Sequence, residues 1–185
     1  MDRTQVRDKL FKPYLTQQEI AAAVRRIAAE IERDHAGKDP LFIAILNGSF
    51  MFAADLFRNL RMPAEICFIK LASYKGTRST GHVITSIGLD HDVFDRDVII
   101  VEDIIDTGKT LSQFLPQLEH QQPRSLRICA LLHKKDATRY PVEISYLGFT
   151  IPDKFVVGYG LDYDGQGRNL PEILQLDDQG GGEVS

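Results

Sequence analysis

Apolar residues recur with two different periods along this chain, and the alternation between them predicts the fold class. Ile20, Val24, Ile27 and Ile31 repeat at helical spacing, with Arg25, Arg26, Glu30 and Glu32 off that stripe. The four residues Thr16-Gln17-Gln18-Glu19 form a capping box ahead of them, so an amphipathic helix starts there and ends near Gly37. Leu41 to Leu46 is an unbroken apolar run, the pattern of a strand buried on both faces. Asn47-Gly48 interrupts it, and Phe50 to Leu60 reads as a helix. Further strands are predicted at 65–72, 83–89, 98–101 and 126–132, with short ones at 142–149 and 155–157. A helix from about Leu111 to Gln121 follows the 98–101 strand, and Pro116 inside it should bend or split it. Polar residues 73–82, with Lys75 and Arg78, predict a mobile loop, 91–97 an acidic turn, and 179–185 a flexible tail. Strand and helix alternate, so the chain is expected to be one α/β domain over 1–178, a Rossmann-like parallel sheet flanked by helices. Ligands of such sheets bind at the carboxyl ends of the strands, near a switch in strand order.

Composition then removes whole classes of function. The chain has 185 residues and 43% hydrophobic content, enough apolar surface to offset the entropy of ordering. Lysine plus arginine is 22 and aspartate plus glutamate 26, so 22 − 26 leaves a net charge of −4, which disfavours a nucleic-acid partner. The charged N-terminus is not a secretory signal, and no apolar run approaches the ~20 residues of a membrane span. Cys67 and Cys129 sit in apolar runs without CxxC spacing, as buried reduced thiols do in a cytoplasmic protein. The five histidines show no HExxH pair that would hold a metal. Tryptophan is absent, so a ring that stacks on a ligand must be Phe, Tyr or His.

The candidate chemistry is concentrated in 98–110. Four β-branched residues run into Glu102 and Asp103, then Asp106-Thr107-Gly108-Lys109-Thr110 opens a helix. Carboxylates at the carboxyl edge of a sheet face the ligand crevice. A glycine turn, two hydroxyls and free amides at a helix start suit a phosphate. A nucleotide-hydrolase P-loop would need glycine five positions before Gly108, where Asp103 stands and would repel phosphate. A ribose 5-phosphate fits instead, with Glu102 and Asp103 accepting from the sugar hydroxyls or holding magnesium beside them. Three crowded carboxylates after a buried strand are costly unless partnered.

These residues resemble the phosphoribosyl-pyrophosphate motif of type I phosphoribosyltransferases. Ser73-Tyr74, Lys134 and the segment Ile151-Pro152-Asp153-Lys154-Phe155-Val156-Val157-Gly158-Tyr159 extend the likeness to the hypoxanthine(-guanine) branch, over roughly residues 10–175. The resemblance implies transfer of phosphoribosyl to a 6-oxopurine base, with a nucleoside monophosphate and pyrophosphate as products and Mg2+ as cofactor. It implies a small hood lobe from about 1–20 and 150–178, and a homodimer or homotetramer. Asp106 would be the catalytic proton acceptor, Glu102 and Asp103 would bind the ribose hydroxyls, and 106–110 would cradle the 5-phosphate. Lys134, Phe155, Val156 and Asp162 would bind the purine: Lys134 donates to the exocyclic oxygen, Phe155 stacks and the Val156 backbone reads the edge. Leu46, Asn47, Gly48, Ser73, Tyr74 and Arg168 would hold pyrophosphate, with 73–82 as a lid. Glu102, Asp103 and Asp162 would be the metal ligands. The pyrophosphate loop has Asn47 where some relatives carry a lysine, so it would depend on backbone amides.

Two other functions fit the fold less well. A regulator that senses the sugar phosphate should show a basic face or an added DNA-binding domain. A pyrimidine or adenine transferase on the same fold is disfavoured by Lys134 with the 152–159 segment, because an ammonium donates to a carbonyl oxygen and repels the donors of an amino group.

Overall fold

The protein is seen in a computed structural model that describes residues 3–73, 83–87, 89 and 91–177. Strands β1 (Thr4–Val6) and β2 (Lys9–Leu15) lead into helix α1 (Gln17–Asp34). The capping box forms as the sequence predicts: the Glu19 amide donates to Thr16 Oγ1 at 3.3 Å and the Thr16 amide to Glu19 Oε2 at 2.8 Å. Then come β3 (Leu41–Leu46), α2 (Phe50–Asn59), β4 (Glu65–Ser73), β5 (Val83–Ile87) and β6 (Asp97–Ile105). Helix α3 (Lys109–Glu119), β7 (Ser125–His133), β8 (Tyr146–Thr150), β9 (Val156–Val157) and β10 (Ile173–Leu176) complete the order.

The main sheet has the strand order β5-β4-β3-β6-β7-β8. Strands β4, β3, β6, β7 and β8 are parallel, and β5 is an antiparallel edge. Its unbroken apolar runs are explained by two covered faces. Phe42, Ala44, Ile99 and Val101 pack with α1 and α2, while Leu41, Ile43, Val98 and Ile100 pack with Leu111, Phe114 and Leu118 of α3. A second sheet, β1-β2-β10-β9, is built from both ends of the described chain.

Three expectations need correction. The 98–101 strand runs on to Ile105, so Glu102 and Asp103 lie within it rather than after it. Pro116 does not split α3, because it sits on the solvent face, where water can serve the carbonyl that loses its helical donor. The last strand of the main sheet begins at Tyr146, not Val142. Strands β1, β2 and β10 were not predicted, since three or four residues carry too little periodicity to read and Pro13 interrupts β2. Pro13 is tolerated because β1 pairs only with Lys9–Phe11, so among the described residues no strand needs a donor from residue 13 on that side. The predicted loop 73–82, apart from Ser73 at the end of β4, and the tail 179–185 lie outside the described residues. Among the described residues no helix is long and apolar enough to cross a membrane.

His35, at the end of α1, is fully buried, and among the described residues neither ring nitrogen has a hydrogen-bond partner. Burial, helped by the Arg127 charge, lowers its pKa below the ordinary 6.5, against the nearby Asp97. The unfolded chain therefore binds this proton more tightly than the fold does, and stability falls as pH drops below the unfolded value. The thermal midpoint should decrease between pH 7 and pH 5, and His35→Leu should flatten part of that decrease. An unchanged pH slope in the variant would exclude His35 as a source.

Candidate active site

The strand order switches at β3, whose neighbours are β4 on one side and β6 on the other. The chain leaves β3 toward β4 and returns on the opposite side as β6. A crevice therefore opens at the carboxyl ends of β3 and β6, where the expected site residues gather.

The β3 side supplies 46–49. The Leu46–Asn47 peptide is cis. Ser49 is buried and its Oγ donates to Ile45 O at 2.5 Å, tying the loop back to its strand. A Cβ at Gly48 would overlap the Asp103 carboxylate, so only glycine lets the loop lie directly on that side chain.

The β6 side supplies the carboxylates. Burial, then the neighbouring Asp103 charge, pushes Glu102 well above the ordinary carboxylate range. Burial also raises Asp103, opposed by contacts from Glu102, by the amides of 103 and 104 and by the Arg168 charge. Such a pair favours hydroxyl donors or a cation beside it. After β6 comes Gly108 at φ +77, with its α-carbon face against Tyr140 O. It is the N-cap of α3 and, as glycine, offers no side chain to cap that helix. Thr107 Oγ1 accepts the Lys109 amide at 3.3 Å. Thr107 O accepts the amides of Arg139 and Tyr140 at 3.0 and 2.9 Å, which fixes the turn from behind. Glu102 and residues 104–111 line one recess there, open to an anion at the helix start.

The end of β7 supplies Lys134. Its amide donates to Ile105 O at 2.9 Å, which places it beside the last residue of β6. The side chain is nearly buried, and Nζ donates to Asp106 Oδ2 at 3.1 Å and to Asp153 Oδ1 at 3.4 Å. Thr138 Oγ1 lies 3.1 Å from Asp106 O and 3.0 Å from Lys134 O, and links the two strand ends.

The small sheet forms the opposite wall. Phe155 is 42% exposed, unusual for so large an apolar ring. It touches Phe11, with ring centroids 6.3 Å apart, and the Tyr163 ring edge at 5.7 Å. Val156 is buried and opposite Gln175 of β10. Asp162 pairs with Arg168 Nη2 at 2.6 Å and accepts the Gly165 amide at 2.8 Å. Arg168 Nη1 donates to Gly160 O at 2.6 Å. Gly160, at φ +99, abuts Gly48 O, and the Tyr159 hydroxyl donates to Asp55 Oδ2 of α2 at 2.7 Å. The segment just after β9 is thereby fastened to the loop after β3 and to α2.

One cleft is lined by Gly48, Asp103, Asp106, Lys134, Phe155, Val156, Asp162 and Arg168. Leu46 and Asn47 stand at its β3 edge, and Ser73 ends the neighbouring strand β4. Tyr74 lies outside the described residues. Glu102, Asp103 and Asp162 do not form one metal cage: among the described residues no group of three acidic, His or Cys side chains could hold an ion. Magnesium rarely needs such a cage, since it keeps waters and binds one or two carboxylates together with substrate phosphates. The acidic side chains around this cleft fit a magnesium ion that shares a phosphate ligand. Sequence reading gave no role to Asp153, Thr138 or the Asp55–Tyr159 bond. All three are long-range contacts without a periodic signal.

The chain matches the phosphoribosyl transferase domain family over residues 12–164. It is 42% identical to a hypoxanthine-guanine phosphoribosyltransferase of Mycobacterium tuberculosis over 170 residues, 88% of this chain and 84% of that protein. It is 37% identical to a hypoxanthine-guanine-xanthine phosphoribosyltransferase of Tritrichomonas foetus, over 94% of this chain and 95% of that one. Its fold is similar to that of a hypoxanthine-guanine phosphoribosyltransferase from Bacillus anthracis, with a TM-score of 0.85, 36% identity, and coverage of 91% of this chain and 98% of the other.

Proposed function

The chain belongs to the phosphoribosyltransferase family, and from that premise we propose that it is a purine-salvage enzyme in which each cleft wall binds one part of the substrates. It transfers the 5-phosphoribosyl group from phosphoribosyl pyrophosphate to hypoxanthine, and to guanine, giving IMP or GMP and pyrophosphate. The observation that carries this reading is the meeting of Lys134 and Asp106 at 3.1 Å in a cleft whose far wall presents Phe155.

The turn 106–110 takes the 5-phosphate at the start of α3. Glu102 and Asp103 accept from the ribose hydroxyls. The base lies on Phe155 with its edge toward the Val156 backbone, and Lys134 donates to its exocyclic oxygen. As the bond from the anomeric carbon to pyrophosphate breaks, a ring nitrogen of the base forms the new bond and Asp106 accepts the proton the base loses. Positive charge builds on the sugar, and the surrounding carboxylates stabilise it, so catalysis is positioning plus electrostatics. Loop 46–48, Ser73, Tyr74 and Arg168 hold the pyrophosphate. Asp162 on one wall, or the Glu102–Asp103 pair on the other, would hold magnesium together with a substrate phosphate, and the ion when bound would offset the pyrophosphate charge. The small sheet is the hood over the base. The enzyme works in the cytoplasm as a homodimer or homotetramer.

Lys134→Ala tests the base-reading role. A charge-assisted hydrogen bond contributes about 1.5–3 kcal/mol, so the KM for hypoxanthine should rise roughly 10- to 100-fold. Calorimetric affinity for phosphoribosyl pyrophosphate should stay near that of the parent. Loss of sugar-phosphate affinity with base use intact would refute the role.

A further inference from the structure

A buried ammonium needs one carboxylate to balance its charge, yet Lys134 has two. Asp106 Oδ2 lies 3.1 Å from Nζ and Asp153 Oδ1 lies 3.4 Å away, and these occupy two of the three N–H donors. Asp153 is 63% exposed at its side chain. An exposed ion pair of this kind contributes little to stability. The backbone nonetheless holds Asp153 in place. The Ile151 amide donates to His133 O at 2.9 Å and the Lys154 amide to Pro152 O at 2.8 Å. The turn is thus anchored on the residue before Lys134. It also carries Phe155, so one short segment brings a carboxylate to the lysine and an exposed ring to the cleft.

We propose that Asp153 is a positioning residue for the base, acting through Lys134. Asp106 and Asp153 hold the ammonium from two sides, which leaves the third N–H for the cleft and the exocyclic oxygen of a 6-oxopurine. This role rests on the base-reading role of Lys134 given above. When the base gives its ring proton to Asp106, the electron pair of that N–H bond stays on the ring while the nitrogen–carbon bond forms and the carbon–oxygen bond to pyrophosphate breaks. Asp106 is then neutral, and Asp153 alone balances the ammonium beside a sugar that carries positive charge. Without Asp153 the lysine would turn fully to Asp106, and its donor would be lost to the base.

Steady-state kinetics with hypoxanthine, phosphoribosyl pyrophosphate and Mg2+ on the full chain test this. The variants are Asp153→Asn, Asp153→Glu, Lys134→Ala, and the double variant that combines Asp153→Asn with Lys134→Ala. Asp153→Asn keeps an acceptor but loses the charge that holds the ammonium, so it should raise the KM for hypoxanthine about fivefold, the upper end for an exposed pair, and leave the KM for the sugar phosphate within about twofold. Asp153→Glu should recover most of the loss. In the Lys134→Ala background, Asp153→Asn should add nothing, since the two act as one unit. A parent-like KM for hypoxanthine in Asp153→Asn overturns the proposal, as does an equal rise in both KM values or a full effect that persists without Lys134. If Lys134→Ala raises the hypoxanthine KM and Asp153→Asn does not, only the positioning role fails. If Lys134→Ala leaves it unchanged, the base-reading role of Lys134 fails first and this proposal with it.

Discussion

Asp106→Asn is expected to lower kcat by about 10²- to 10⁴-fold, the range for removing a positioned proton acceptor. The two side chains have the same shape, and the new amide oxygen can still accept from Lys134, 3.1 Å from the present carboxylate. The proposed phosphate site at the turn uses backbone amides, which the substitution does not touch. KM values for base and sugar phosphate should therefore change only a few-fold, the pattern of an interaction made in the transition state. Pre-steady-state rates would separate this step from product release. A parent-like chemical rate would remove Asp106 from the mechanism.

Gly48→Ala is the second large effect. The loop after β3 is confined on two sides. On one side a Cβ would overlap the Asp103 carboxylate, which is 8% exposed and is held by the amides of 103 and 104 and the Arg168 charge. On the other, Gly160 presses on Gly48 O so closely that it too has no room for a Cβ. The loop cannot retreat from Asp103 without pushing the segment after β9 away. Overpacking of such a site costs about 1–3 kcal/mol. The affinity for phosphoribosyl pyrophosphate should fall roughly 10- to 100-fold by calorimetry, with a smaller change for the base. Parent-like sugar-phosphate affinity would show that the loop relaxes freely and that its contact with Asp103 is unimportant.

Local signals in the sequence were the legible part. The Thr16–Glu19 capping box, the stripe from Ile20 to Ile31 and the apolar runs at 41–46 and 126–132 each report chemistry within a few residues, and all sit where expected. The boundary of β6 was misread for a physical reason: carboxylates usually end a buried strand, but here the ladder to β7 continues through Ile105. The antiparallel sheet of the chain ends was illegible because its strands gain stability from one another and not from their own patterns. The same holds in the cleft. Motif residues 102–110 stand together in sequence, but Asp153 meets Lys134 across 19 residues and the Gly48–Gly160 contact joins distant segments. Only the fold brings those pairs together.

Purine salvage by this chain is tested most directly by product formation with the purified chain, phosphoribosyl pyrophosphate and Mg2+. Hypoxanthine, guanine, xanthine, adenine and uracil are offered in turn and the products followed by chromatography. IMP should form from hypoxanthine and GMP from guanine, each with one pyrophosphate released, and adenine and uracil should turn over far more slowly. Absence of IMP and GMP, or adenine turned over as readily as hypoxanthine, would contradict the assignment.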